Sequence, residues 1–251
     1  MPIFCIGDSH VSLFAGVNEV QPVWPKQAKN LLPFFQVFPL GPVLAYNLVS
    51  PNTKTKGREK LFKVLQKEVP KGSLVLLSFG EIDCRAHLLK QGRLQKRTIE
   101  LIVSECVDRY FSVILEVRKI GFKPLIWNTI PSSRLSNINS KDYPTFGSCK
   151  ERNIVTSMFN KKLENKCIKN KIYFISTYNY FVDKDGLTDM TYYMDTVHLS
   201  QKAMQVTLKV IGKELGVNFK LPLYQFIEYK LVNLYLDSLN ALKKLKRKFK
   251  F

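Results

Sequence analysis

Five short apolar runs are spaced along the chain, and between them apolar residues recur at helical intervals. The runs are residues 3–6 before Gly7, 36–40 before Gly41-Pro42, 73–79 before Gly80, 123–128 and 172–176. A strand wetted on one side alternates polar and apolar residues. These runs are apolar almost throughout, as in strands covered on both faces of a parallel sheet. Between Gly80 and the fourth run lies a clear helical stripe: Ile99, Ile102, Val103, Cys106, Tyr110, Val113, Ile114, Val117 and Ile120, stopped by Gly121. Residues 150–169 and 200–215 carry weaker stripes, and 129–149 reads as a long polar loop. Alternating strands and helices predict a three-layer α/β/α sandwich over residues 1–217, with residues 218–251 as a helical tail.

At 251 residues with 45% apolar content, the chain can bury a full core. Lys and Arg number 39 against 20 Asp and Glu, a formal charge of +19 that favours anionic partners or reflects a lysine-rich coding bias. No nucleic-acid motif accompanies that charge and the lysines are spread along the chain, so nucleic acid ranks last among the partners. Cys5, Cys84, Cys106, Cys149 and Cys167 are odd in number and contain no Cys-x-x-Cys pair. That argues against a zinc site or disulfide scaffold and suits a reducing compartment. No cofactor or metal is expected. The N-terminus lacks the pattern of a signal peptide and no run reaches a membrane span, so the expected location is cytosolic, with the tail available to attach at the inner face of the membrane.

Polar clusters collect just after the runs: Gly7-Asp8-Ser9-His10, then Gly80-Glu81-Ile82-Asp83-Cys84-Arg85, then Asp195-Thr196-Val197-His198. Open parallel sheets bind ligands beyond the carboxyl ends of their strands. Ser9 is expected at the N-terminus of a helix, where free N–H groups stabilise a developing anion. Taken singly, Ser9 reads as a helix cap, Asp195 as a cap near Ser200 and His198 as a solvated histidine. Taken together they supply nucleophile, orienting carboxylate and base in the order Ser, Asp, His. His10, adjacent to Ser9, is expected to point away from it.

The GDSH and DTVH strings resemble the first and last sequence blocks of the SGNH (GDSL-like) hydrolases, over roughly residues 3–215. The resemblance implies a flavodoxin-like five-stranded sheet and acyl-ester chemistry, with Ser9 as nucleophile, His198 as base and Asp195 as its partner. It also implies an oxyanion-hole glycine, for which Gly41 in PLGPVLAYN is the candidate. In the third block the family has Gly-x-Asn-Asp, whereas this chain has Gly80-Glu81-Ile82-Asp83, and Ile82 cannot donate a hydrogen bond. Arg85, His87 and Asn128 are candidate substitutes. FGEIDCR is also similar to a variant block of SGNH-like domains associated with polysaccharide biosynthesis, which implies an acylated glycan as substrate. Hydrolysis of the ester and transfer of the acyl group both fit. The alternatives are a non-hydrolytic glycan-binding or sugar-transferring site built from Asp83, Arg85 and His87, and a salt-bridge cluster that braces the strand end.

In the tail, Phe226, Ile227, Leu231, Leu234, Leu239, Leu242, Leu245 and Phe249 fall at helical intervals, and residues 243–250 add six cations. A basic amphipathic helix of this kind binds anionic membrane surfaces. Packing of its front half on the domain or on a second subunit is the alternative.

Overall fold

The computed structural model describes residues 2–134 and 144–248, with side chains through residue 242. The strands are β1 (Ile3–Gly7), β2 (Phe35–Pro39), β3 (Leu74–Ser78), β4 (Lys123–Trp127) and β5 (Tyr173–Ile175). They form one parallel sheet in the order β2-β1-β3-β4-β5. This order is that of the flavodoxin-like doubly wound fold, and its direction reverses between β1 and β3.

The helices are α1 (Gly57–Lys67), α2 (Leu88–Gln95), α3 (Ile99–Lys119), α4 (Cys149–Lys169), α5 (Met204–Leu215) and α6 (Leu223–Lys248). Successive strand residues point to opposite faces. Phe4, Ile6, Val75, Leu77 and Ile126 pack with α1, α3 and α4 on one face of the sheet. Ile3, Cys5, Leu76, Leu125 and Trp127 pack on the other with the segment after β1, α5 and α6. Both faces are therefore dry, which explains why the strand sequences do not alternate. All five cysteines are buried and unpaired, as small apolar residues would be.

Two further helices, α1 and α2, are short; α1 buries Leu61, Val64 and Leu65, which share one face at helical spacing. The helix expected after Ser9 is instead a short 3₁₀ segment (Ser9–Ala15), ended by Gly16 in the left-handed conformation. A single tight segment of this length has little macrodipole, so stabilisation of an anion at Ser9 rests on individual N–H groups. The weak stripe of α4 has a different cause. Its inner face carries buried Arg152, Asn153, Thr156 and Asn160. Arg152 donates to Ser132 Oγ, to the Ser133 carbonyl and to the Gly147 carbonyl, pinning both flanks of the loop over 129–149. The middle of that loop, 135–143, lies outside the described residues.

Helix α6 lies against the domain. Asn233 Nδ2 donates to the Gly16 carbonyl (2.8 Å), its Oδ1 accepts the Asn18 N–H (2.8 Å), and Asp237 accepts from Asn18 Nδ2 (2.7 Å). Tyr229, Val232 and Leu236 fill the space between these bonds and the core.

Gly7 ends β1 where β1 and β3 run closest to the functional edge. A Cβ there would sit 2.2 Å from the Ser78 carbonyl oxygen. Gly7→Ala is therefore expected to destabilise the fold by about 3 kcal/mol or more, since backbone must move. Gly92→Ala, inside α2 with its nearest neighbour at 3.5 Å, should be neutral or stabilising by up to about 1 kcal/mol. Urea unfolding of the two variants measures the contrast; equal midpoints would show that the β1–β3 contact is not tight.

Candidate active site

Ser9 leaves β1 at the carboxyl edge of the sheet, beside the point where the strand order reverses. Asp8 fixes the turn: its N–H donates to the Ser78 carbonyl and its carboxylate accepts the His10 N–H at 3.0 Å. Asp8 is fully enclosed, and burial pushes its carboxyl up to about 6.

The DTVH segment approaches from the other side of the cleft. Asp195 Oδ1 accepts the N–H groups of Val197 (2.8 Å) and His198 (2.7 Å), a tight Asx-type turn that presents the imidazole. Asp195 Oδ2 lies 2.7 Å from His198 Nδ1, and His198 Nε2 lies 2.8 Å from Ser9 Oγ. Partial burial works against the charge on Asp195, but the hydrogen bond and positive potential of His198 outweigh it and keep the carboxyl below its usual range. With Asp195 ionised, Nδ1 carries the proton and Nε2 accepts from the Ser9 hydroxyl. Proton removal from Ser9 is thus one hydrogen bond away.

A cleft of about 620 Å³ opens over this pair. Gly41 lines it at φ +87°, just past β2, and so do Ile82, Arg85 and His87. Asp83 lies buried elsewhere. Its two oxygens accept the N–H groups of Ala45 (2.8 Å) and Tyr46 (3.1 Å), clamping the loop that begins at Gly41. Gly80 does not line the cleft. It turns the chain out of β3 at φ +116°, where a Cβ would meet the Phe159 ring and Thr129 Oγ1 at 2.8 Å. Asn128 is fully buried at the end of β4: its oxygen accepts from Thr177 and its nitrogen donates to the Thr129 carbonyl. That amide ties the end of β4 to the segment after β5, and it is enclosed away from the cleft lining.

Behind Ser9 lies a buried charge cluster. Glu81 Oε1 accepts from Arg85 Nε at 2.7 Å, and Glu81 Oε2 lies 3.2 Å from His10 Nε2, with all three side chains almost wholly enclosed. Burial alone would raise the Glu81 carboxyl, but Arg85 and His10 together hold it down at about 2. Burial would likewise lower His10, and the charges of Asp8 and Glu81 more than reverse this. Arg85 also donates to the Pro144 carbonyl. The segment around Arg85 runs from residues 83 to 87 as a π-helical turn, a local widening common at functional sites.

The His10 side chain turns toward Glu81, yet its ring comes within 4.9 Å of the His198 ring and borders the cleft. Its neighbour in the sequence gave no sign of this. Gln21, Asn47, Thr53 and Lys54, from loops with no motif, complete the wall. Among the described residues no group of His, Cys, Asp and Glu is arranged to hold a metal ion.

No family model matches the chain, and no curated protein matches it. Solved structures do. A GDSL-like lipase from Bacteroides thetaiotaomicron superposes with a TM-score of 0.52 at 10% identity, over 86% of this chain and 87% of its own. A carbohydrate acetylesterase from Sinorhizobium meliloti superposes with a TM-score of 0.51 at 17% identity, over 86% of this chain and 98% of its own. The sheet order, the helices on both faces and these superpositions establish the fold: it is that of the SGNH (GDSL-like) hydrolases.

Proposed function

We propose that this chain is a serine-dependent acyl-ester hydrolase or acyltransferase whose substrate is an O-acylated carbohydrate. The observation that carries the reading is the relay of 2.8 and 2.7 Å from Ser9 through His198 to Asp195. Ser9 Oγ attacks the ester carbonyl carbon while its proton passes to His198 Nε2, and Asp195 stabilises the resulting imidazolium. The tetrahedral oxygen is received by the Ser9 and Gly41 N–H groups. Collapse expels the sugar oxygen, which takes the proton from His198 and leaves an acyl-Ser9. Water, or a second hydroxyl in the case of transfer, then enters along the same path and frees the serine.

The mixed wall of the cleft supports a sugar rather than a bare acyl chain. Gln21, Asn47, Thr53 and Lys54 offer donors and acceptors, while Val20, Val23 and Leu44 offer apolar contact for a sugar face or a short acyl group. The likeness to a carbohydrate acetylesterase points the same way. A non-hydrolytic sugar site using Asp83, Arg85 and His87 together has less support, because both Asp83 oxygens are spent on backbone.

Ile82 borders the cleft where the family resemblance implies an asparagine, so the oxyanion site is short of one donor. Removing one such donor typically costs about 100- to 1000-fold in rate. Ile82→Asn is accordingly expected to raise kcat on a simple acetyl ester by roughly tenfold or more. No change would mean that another group already fills that role.

Ser9→Ala should abolish labelling by a fluorophosphonate probe and lower ester turnover by roughly 10,000-fold, with Asp195→Asn costing at least about 100-fold through the wrong histidine tautomer. Turnover that survives Ser9→Ala would sink the proposal.

The charge cluster gives a separate readout. Because the folded pKa of Glu81 lies below its usual 4.5, its stabilising contribution is complete above that value and is lost as pH falls through about 2. Glu81→Gln should therefore flatten the acid limb of the stability curve between these limits. Arg85→Ala, which strips a buried carboxylate of its guanidinium, should cost roughly 3 kcal/mol near neutral pH. Urea titrations across the acid range test both, and an unchanged acid limb in the Glu81 variant would contradict the assignment.

A further inference from the structure

Helix α6 has two faces of different use. The face that meets the domain is anchored by polar groups: Tyr229, Asn233, Asp237 and Asn240 bond to Gln201, Gly16 and Asn18. The opposite face is apolar and bare. Leu223, Ile227, Leu231, Leu234, Tyr235 and Leu242 lie there, with Leu223 74%, Leu234 66% and Tyr235 62% exposed. At 100° per residue these six fall within one third of the helix circumference. A helix of 26 residues is about 39 Å long, so the row is a rail along one side of the molecule rather than a point contact.

A bare leucine row of this extent is costly in water unless something covers it. Charge decides between occupants. The sequence continues directly from this row into six cations over residues 243–250, and the whole chain carries +19. A second copy would bring together two chains that each carry +19, which self-repulsion disfavours. An anionic lipid surface meets both features at once: acyl chains receive the leucines and headgroups receive the cations, each cation near the surface adding about 1 kcal/mol. We infer that α6 is a membrane-docking helix, held rigidly on the domain by its polar face and laid on an anionic bilayer by its apolar face. The helix does not cross the bilayer, since among the described residues no helix is long and apolar enough to do so.

Co-sedimentation of the full chain with phosphatidylcholine vesicles, with and without a large fraction of phosphatidylglycerol, tests this directly. The chain should pellet with the anionic vesicles and remain in solution with the neutral ones, and added salt should weaken the binding. Leu231→Glu/Leu234→Glu, at two exposed positions, should leave the melting temperature unchanged and reduce affinity for anionic vesicles by about tenfold or more. Three results would overturn the inference. One is failure to bind anionic vesicles at low salt. Another is binding that the double variant leaves intact, which would make it a charge effect alone. The third, read by light scattering, is a dimer that the double variant converts to monomer, which would assign the face to a second copy. Vesicle binding does not pass through Ser9, so it stands or falls separately from the proposed chemistry, and Ser9→Ala should bind like the parent chain.

Discussion

At the carboxyl edge of the sheet, β1 and β3 approach so closely that Gly7 has room for hydrogen only. Everything chemical in the molecule follows from how the chain leaves that gap. Strand order reverses there, so the segments after β1 and β3 diverge to opposite faces and open a crevice between them. Asp8 spends its N–H on Ser78 of β3 and its carboxylate on the next turn, which leaves Ser9 as the first side chain free to face the crevice. A larger residue at position 7 would push β1 from β3 and move Ser9 with it. The glycine is thus a positional requirement of the serine, two residues away.

The stretch after β3 shows how one short sequence divides two carboxylates between two tasks. Glu81 faces the histidine beside Ser9 and is neutralised by Arg85, so a charge taken fully out of water is bonded to the guanidinium through Oε1, with His10 3.2 Å from Oε2. Asp83, two residues on, points the other way and holds the loop that starts at Gly41 by two backbone N–H groups. The position between them is Ile82, an apolar residue on the wall of the cleft. The third block therefore acts on the site chiefly through what it positions: the Ser9 turn by way of His10, and the Gly41 loop by way of Asp83.

The sheet was legible because its strands are buried on both sides, and continuous apolar runs have few other uses in a chain of this length. The polar clusters were legible because strand ends, in this architecture, share one edge. Other parts were not, for identifiable reasons. Helix α4 buries Arg152 and Asn160 to satisfy the backbone of a loop, so its inner face does not look apolar. The segment after Ser9 is 3₁₀ rather than α, and Gly16 ends it at Ala15, so no long apolar stripe marks it. Asn128 looked free for catalysis at a strand end, yet a strand end must also be joined to its neighbour, and Thr177 claims that amide. His10 is expected to point away from Ser9, and it turns to Glu81, a partner that follows another strand and that adjacency in sequence does not reveal.

Helix α6 carries the same lesson about polar groups in the opposite direction. An amphipathic pattern names an apolar face, and the usual assumption is that this face meets the protein. Here the contacts with the domain run through Asn233, Asp237 and Asn240, with Tyr229, Val232 and Leu236 between them, whereas most of the leucines that made the pattern visible stay outside. Directional bonds to Gly16 and Asn18 fix the helix at one rotation, which an apolar face sliding on a core would not do. Asn18 stands nine residues after Ser9, and Gln201, the other partner of this face, stands three after His198. The helix is therefore bonded to the same two segments that bring Ser9 and His198 together. Whatever covers its outer face is joined by this handful of hydrogen bonds to the edge that carries Ser9 and His198.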